Sequence, residues 1–181
     1  MWYPMKTVDP ASTEPVNLDE VKRRLRVSFT DEDADIELML ASARDHAEKY
    51  CNVLFSEQTV ELKCDCWDDL ARLPVAPVAS VTSIAYVDTD GATTTLPSIE
   101  YELRAEALEA AIVLAYGKQW PAVRMGSRIT VTAAAGYGEA PPAVKHAILL
   151  YVADAYEVRE NAKMEDWTAL DALLCNFRRG A

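Results

Sequence analysis

Basic residues are in short supply in this chain. Its 181 residues hold 18 Lys and Arg against 29 Asp and Glu, a formal net charge of −11 with a pI near 4.6. Such a surface does not seek phosphates, which argues against nucleic-acid binding over the whole surface, although an acidic protein can still stand beside DNA and repel it. Histidine is scarcer still, with His46 and His146 alone. Any Ser-His-Asp or Cys-His arrangement has to use one of these two, and neither sits in a recognisable nucleophile motif. No G-x-S-x-G, H-E-x-x-H, G-x-G-x-x-G or Gly-Lys-Ser/Thr phosphate loop occurs, and "GYG" at 136–138 is too short for one. The four cysteines, Cys51, Cys64, Cys66 and Cys175, form no C-x-x-C pair. They read as buried free thiols suited to a reducing compartment, with a metal or redox pair at Cys64 and Cys66 as the alternative. No apolar run approaches the ~20 residues that a bilayer span needs, and "MWYPMKTVDP" lacks the basic start and apolar core of a signal peptide.

What the chain does hold is enough apolar material for a core, 50% of its residues, and two changes of period. Residues 1–16 carry prolines at 4, 10 and 15 and no periodic pattern, so they read as an extended arm, with Trp2 and Tyr3 packed on something. "NLDE" then offers Asn17 as an N-cap with Glu20 three residues on, the reciprocal arrangement that opens a helix. Leu18, Val21 and Leu25 give that helix its apolar face. Thr30 is placed to cap a second helix whose first turns are loaded with Asp31, Glu32, Asp33 and Asp35, favourable beside the positive end of the helix dipole. Ile36, Met39, Leu40, Ala43, Ala47 and Tyr50 follow at helical spacing, to about Cys51. The acidic cluster has no calcium-loop spacing and reads as a solvated helix start.

From about Gln58 the period becomes two. Val60, Leu62, Cys64 and Cys66 alternate with Glu61, Lys63 and Asp65, which predicts a strand with both cysteines on one face. Further strands are expected at Val81–Val87, Thr93–Leu96, around Tyr101 and Leu103, in "LEAAIVLAY", and in "SRITVTAAAGYG", with Gly91 turning the "DTDG" loop. Gly136, Gly138, Pro141 and Pro142 end the strand block. A third helix then runs to about Arg159, and a fourth from about Glu165 to Phe177, with Arg178 and Arg179 at its negative end. The predicted class is α+β: a four-helix bundle-like domain made of residues 17–56 and 139–181, and an inserted antiparallel β domain at 57–138.

On a helical wheel, Val144, Ile148, Tyr151, Val152, Ala155 and Val158 form the core face of the third helix, with His146 nearly opposite. Leu149 and Tyr156 fall on a flank and Leu150 lies between core and polar pole, so the apolar arc is wider than one bundle needs. Either the β block or another protein covers the surplus.

The set "VNLDEVKRRLRV", "DEDADIELMLASAR", "LPVAPVASVTSIAYVDTDG", "GKQWP" and "ITVTAAAGYGEAPPAVKHAILLYVADAYEVRE", in this order from about 16 to 160, resembles the head–tail connector (adaptor) proteins of long-tailed phages. The resemblance is to the variety with a β insertion that also occurs in prophages and gene transfer agents. It implies a structural protein with no catalysis, cofactor or metal. Such proteins assemble, usually as twelve copies, into a ring under the portal protein at the head–tail interface. The ring is built in the host bacterial cytoplasm, extends the DNA channel, and docks a tail-side stopper or terminator. DNA passes without specific binding, and no membrane is involved. The terminal helix reaches towards the portal, which by position assigns Trp167, Leu170, Leu174 and Phe177, with Arg178 and Arg179, to that contact. The β block falls at the periphery or on the tail-facing side. Leu149, Leu150 and Tyr156 become candidates for the contact with the next subunit. Two other classes stay open: an assembly chaperone or regulatory module that leaves before the particle is complete, and a small hydrolase using the acidic cluster and a metal.

Overall fold

The computed structural model describes residues 1–158 and 168–180. Among the described residues it has four α-helices and antiparallel sheets, a mixed α+β fold, and it divides into two compact units. One, the β unit, comprises Met1–Ala11 and Glu57–Tyr137; the other, the helical unit, comprises Ser12–Ser56 and Gly138–Ala181.

The β unit is built on a five-stranded sheet in the order β1-β2-β7-β3-β4, all neighbours antiparallel. The strands are β1 (Lys6–Asp9), β2 (Gln58–Cys64), β3 (Val78–Val87), β4 (Thr93–Thr95) and β7 (Ile129–Ala135). β5 (Tyr101–Glu106) and β6 (Glu109–Leu114) form a separate hairpin. Alternation drives the fold. In β2 and β7 every second side chain is buried, and the register sets Val60 beside Ala133, Leu62 beside Val131 and Cys64 beside Ile129. Ile84 of β3 meets Val131 from the other side. A slip of one residue would turn this whole set to the opposite face, so the pattern fixes the register.

One expectation changes in this unit, that of the cysteines, and the N-terminal segment has a defined place: β1 pairs with β2, Trp2 bridges to Cys64, and the Trp2 indole N–H donates to the Arg72 carbonyl at 2.9 Å. The physical reason is the edge of β2, whose unpaired backbone groups take a strand from wherever the chain offers one. The cysteines also part. β2 ends at Cys64, which is buried, whereas Cys66 opens a 3-10 turn at Trp67–Ala71 and is exposed.

The helical unit holds α1 (Leu18–Leu25), α2 (Asp33–Cys51), α3 (Pro142–Glu157) and α4 (Ala169–Leu174). The reciprocal cap of α1 is present: Asn17 Oδ1 accepts from the Glu20 N–H at 2.9 Å, and Glu20 Oε2 accepts from the Asn17 N–H at 3.1 Å. Thr30 does not cap α2 with its side chain. A turn at Asp31 and Glu32 intervenes, the helix begins at Asp33, and Thr30 contributes only its carbonyl, 3.2 Å from the Asp33 nitrogen. Ile36, Leu40, Ala43, Ala47 and Cys51 bury the inner face of α2. α3 buries Val144, Ala147, Ile148 and Val152, and packs on α1, α2 and α4. Val158 is exposed rather than core because the helix stops at Glu157. α4 is shorter than expected, six residues followed by a 3-10 turn at Cys175–Phe177; its predicted first turn, Glu165–Trp167, lies outside the described residues. Thr168 caps it, its Oγ1 accepting from the Asp171 N–H while the Asp171 carboxylate accepts from the Thr168 N–H at 2.8 Å.

Candidate docking surfaces

The residues that bear on function fall into three groups, the first two expected at partner contacts. The C-terminal set is largely committed to the protomer's own fold. Leu170 and Leu174, one turn apart on α4, both point inward, and Leu174 is fully buried. Arg179 is buried too, and its backbone N–H donates to the Cys51 carbonyl at 2.8 Å. Phe177 stands edge-on to Phe55 with centroids 6.3 Å apart, and the Arg178 guanidinium lies 4.8 Å from the centre of the Tyr50 ring. The Tyr50 hydroxyl donates to Asp171, which raises the Tyr50 pKa and helps to lower that of Asp171, where the Thr168 side chain and backbone are the larger causes. An apolar i, i+4 pair at a chain end reads equally well as a docking stripe or as core; only the folded chain separates the two. Trp167 lies outside the described residues.

The α3 flank is the second group. Leu150 is half-buried. Tyr156 is half-buried as well, and its hydroxyl donates to Glu32 at the entrance to α2. Leu149 differs, because it forms part of the floor of an open surface hollow of about 350 Å³. Val16 shares the floor, and Glu20, Arg23, Arg24 and Lys145 line the rest. The hollow is held in place by the α1 cap and by the ion pair of Lys22 with Asp33, N to O 2.5 Å, which ties α1 to the start of α2. Sequence reading named Leu149 and missed the cationic rim, although "KRRLR" is the densest run of positive charge in the chain.

The third group comprises the titratable and polar residues singled out for chemistry. Burial pushes the Cys51 thiol up to about 11 and the Cys64 thiol up to about 12, so both are protonated and unreactive at neutral pH. His46 packs between Tyr50 and Tyr151, with ring centroids at 6.4 and 5.3 Å, and His146 is exposed on α3. Arg128 lies 3.8 Å over the Tyr3 ring, and the Arg124 N–H donates to the Val87 carbonyl at 2.9 Å, tying the loop to the end of β3. Gly136 takes φ 111°, and its N–H donates to Pro77, as a strand-ending turn requires. Among the described residues no three His, Cys, Asp or Glu side chains converge to hold a metal ion, and no helix is long and apolar enough to cross a membrane.

In the β unit the loop at residues 115–128 is anchored by aromatic packing. Trp120 stacks flat on Trp67 at 4.7 Å and 4°, Tyr86 meets Trp67 edge-on, and the Trp67 indole N–H donates to the Pro121 carbonyl at 2.8 Å. This anchor leaves Tyr116 and Met125 almost wholly in solvent. "GKQWP" is one of the motifs that carry the resemblance, but nothing in the sequence pairs its tryptophan with Trp67.

Comparison with known proteins bears out the resemblance read from the motifs. Residues 15–89 match the family of phage gp6-like head-tail connector proteins. No curated protein sequence matches. Among solved structures, a chain in the neck of an empty gene transfer agent particle, computed with C6 symmetry, has a similar fold. It is 22% identical with a TM-score of 0.84, over 99% of this chain and 97% of that one. A chain in the virion of a native gene transfer agent particle is 23% identical, with a TM-score of 0.81 over 98% and 96%. One in the neck of a native particle, computed with C12 symmetry, is 22% identical, with a TM-score of 0.80 over 99% and 97%. At this identity the likeness establishes the fold, and it runs the length of both chains.

Proposed function

We propose that this chain is a structural subunit of a particle neck, a head–tail connector that assembles into a ring under a portal protein. The observation that carries this reading is the connector-family match over residues 15–89, which spans α1, α2, β2 and β3. The fold shared end to end with chains of gene transfer agent necks supports it. In this reading the helices form the bundle that builds the ring, and the β unit is an insertion between its two halves. The ring holds twelve copies, continues the DNA channel, and offers its far side to a stopper or terminator. An acidic channel wall lets DNA slide, because each Lys or Arg paired to a phosphate would add salt-dependent affinity. The role is architectural rather than catalytic.

The C-terminal segment faces the portal. Leu170, Leu174 and Arg179 anchor it to the protomer, which leaves Phe177, Arg178 and Trp167 for the contact. Deleting residues 168–181 would therefore open the protomer's own core, so Arg178→Glu is the sharper probe of this face. The overall reading is tested by disrupting the gene and imaging the particles. Filled heads and tails should accumulate unjoined; normally joined particles would refute the connector role. Finding the protein in assembly intermediates but absent from finished particles would instead favour an assembly chaperone.

A further inference from the structure

A ring of identical subunits joins unlike faces: a patch on one copy meets a different patch on the next. The helical unit carries two such patches with opposite charge and matching apolar character. The first is the hollow between α1 and α3. Its floor is apolar, Val16 and Leu149, and its rim is cationic, Arg23, Arg24 and Lys145. Lys145 is paired with Glu139 at 3.0 Å, and the carboxylate of Glu20 is taken up by the α1 cap. Among the described residues neither Arg23 nor Arg24 forms a salt bridge, and both are exposed.

The second patch is the outward face of α2. On the wheel, Leu38 lies nearly opposite the buried stripe of Ile36, Leu40, Ala43 and Ala47. It is 71% exposed, the most exposed leucine of the chain among the described residues. Asp35 stands on the same face one turn earlier, Asp31 precedes it in the entry turn, and Phe29 adjoins them, 48% exposed. Asp31 and Asp35 are exposed, and among the described residues they form no salt bridge. α1 and α3 both pack against the inner side of α2, so the hollow and the outward face of α2 are separate sides of the unit.

We infer that the occupant of the hollow is a second copy of this chain: Leu38, flanked by Asp31 and Asp35, seats on Leu149 and Val16 between Arg23, Arg24 and Lys145 of the next subunit. An exposed leucine within an acidic frame is the complement of an apolar floor within a basic one. Placing the two contacts on different sides of one unit lets the pattern repeat around a ring. This inference rests on the ring reading given above and adds the identity of the two faces.

The test is charge reversal. One full-length variant carries Asp31→Arg with Asp35→Arg, the other Arg23→Glu with Arg24→Glu. Each is incubated alone and mixed with the other, free and on isolated heads, and followed by native mass spectrometry and electron microscopy. Circular dichroism checks the fold; should the glutamate pair fail to fold, Arg23→Gln with Arg24→Gln replaces it and is expected to weaken assembly by itself. Each reversed variant alone should lose at least tenfold in ring formation, because like charges then face each other. Mixing the two glutamate and arginine variants should restore rings in which they alternate. Leu38→Ser should lower assembly with both charge sets intact. Wild-type rings together with undiminished rings from both reversed variants would overturn the inference and leave the connector reading standing. A wild-type chain that never multimerises, even on heads, would remove the ring reading itself and this contact with it.

Discussion

The two units solve the problem of apolar surface differently. In the β unit the sheet is self-sufficient. Val60, Leu62, Ile84, Ile129 and Val131 are wholly buried; the large apolar residues left outside are Met1, Met5 and Val8 of the N-terminal segment, with Val8 in the edge strand β1, and Ile99, Tyr116 and Met125 on turns and loops. In the helical unit a regular helix face presents Leu38 to solvent, and a separate side carries the hollow beside Leu149. Single exposed apolar residues on loops are ordinary, whereas one set in the charged outer face of a helix, opposite in charge to a hollow on the same unit, has the layout of an interface. In the reading proposed above, assembly uses the helices.

The largest test of this contrast concerns what is core. Leu62 of β2 and Leu174 of α4 are both 0% exposed, so Leu62→Ala and Leu174→Ala should each cost about 2–5 kcal/mol in chemical denaturation. A loss below about 0.5 kcal/mol for Leu174→Ala, on the scale of a surface change, would return that residue to the docking face. Next comes the anchored loop of the β unit. Trp67→Ala removes the stack on Trp120, the edge contact with Tyr86 and the hydrogen bond to Pro121. It should cost ~2–3 kcal/mol and speed tryptic cleavage after Lys118 and Arg124, while assembly is retained. Loss of assembly with the fold intact would move part of the interface into the β unit.

Smaller effects probe the ends of the helical unit. Thr168→Ala removes the side-chain cap of α4 and should cost about 1 kcal/mol in the same denaturation assay. Two carboxyls of this unit carry opposite pH signatures. Burial raises the Glu48 pKa above its ordinary 4.5, against the backbone N–H groups of Phe55 and Ser56 and the Arg44 guanidinium, which lower it. The folded state then holds that proton more firmly than the unfolded chain, so this group's contribution declines as pH rises from about 4.5 through the folded pKa. Asp171 is the reverse: Thr168 and Tyr50 lower its pKa below 3.8, and its contribution is present above that value and lost as pH falls through the folded pKa. Urea titrations across pH 3–7 should show the first slope vanish in Glu48→Gln and the second in Asp171→Asn; unchanged slopes would contradict the assignments.

What could be read in advance follows the range of the interactions. The Asn17–Glu20 cap, the alternation of β2 and β7, the strand character of 109–114 and the Gly91 turn depend on neighbours in sequence, and the pattern carries them. The pairing of β1 with β2, the Trp67–Trp120 stack and the burial of Leu174 join distant segments, and no local period encodes a partner. The separation of Cys64 from Cys66 turned on where one strand stops, which alternation alone does not mark. Of the docking residues, Leu149 was visible as a surplus apolar position on α3. The basic rim that makes its surroundings specific comes from α1, and only the packing of the two helices brings them together.

The central claim is that the chain is a repeated subunit of a neck ring. A reconstruction of the intact particle without imposed symmetry, with this chain traced in it, tests that most directly. The account predicts several copies in a closed ring beside the portal, each setting the outward face of α2 against the α1–α3 hollow of its neighbour. A single copy, a position away from the neck, or a ring closed through the sheets of the β unit would contradict it.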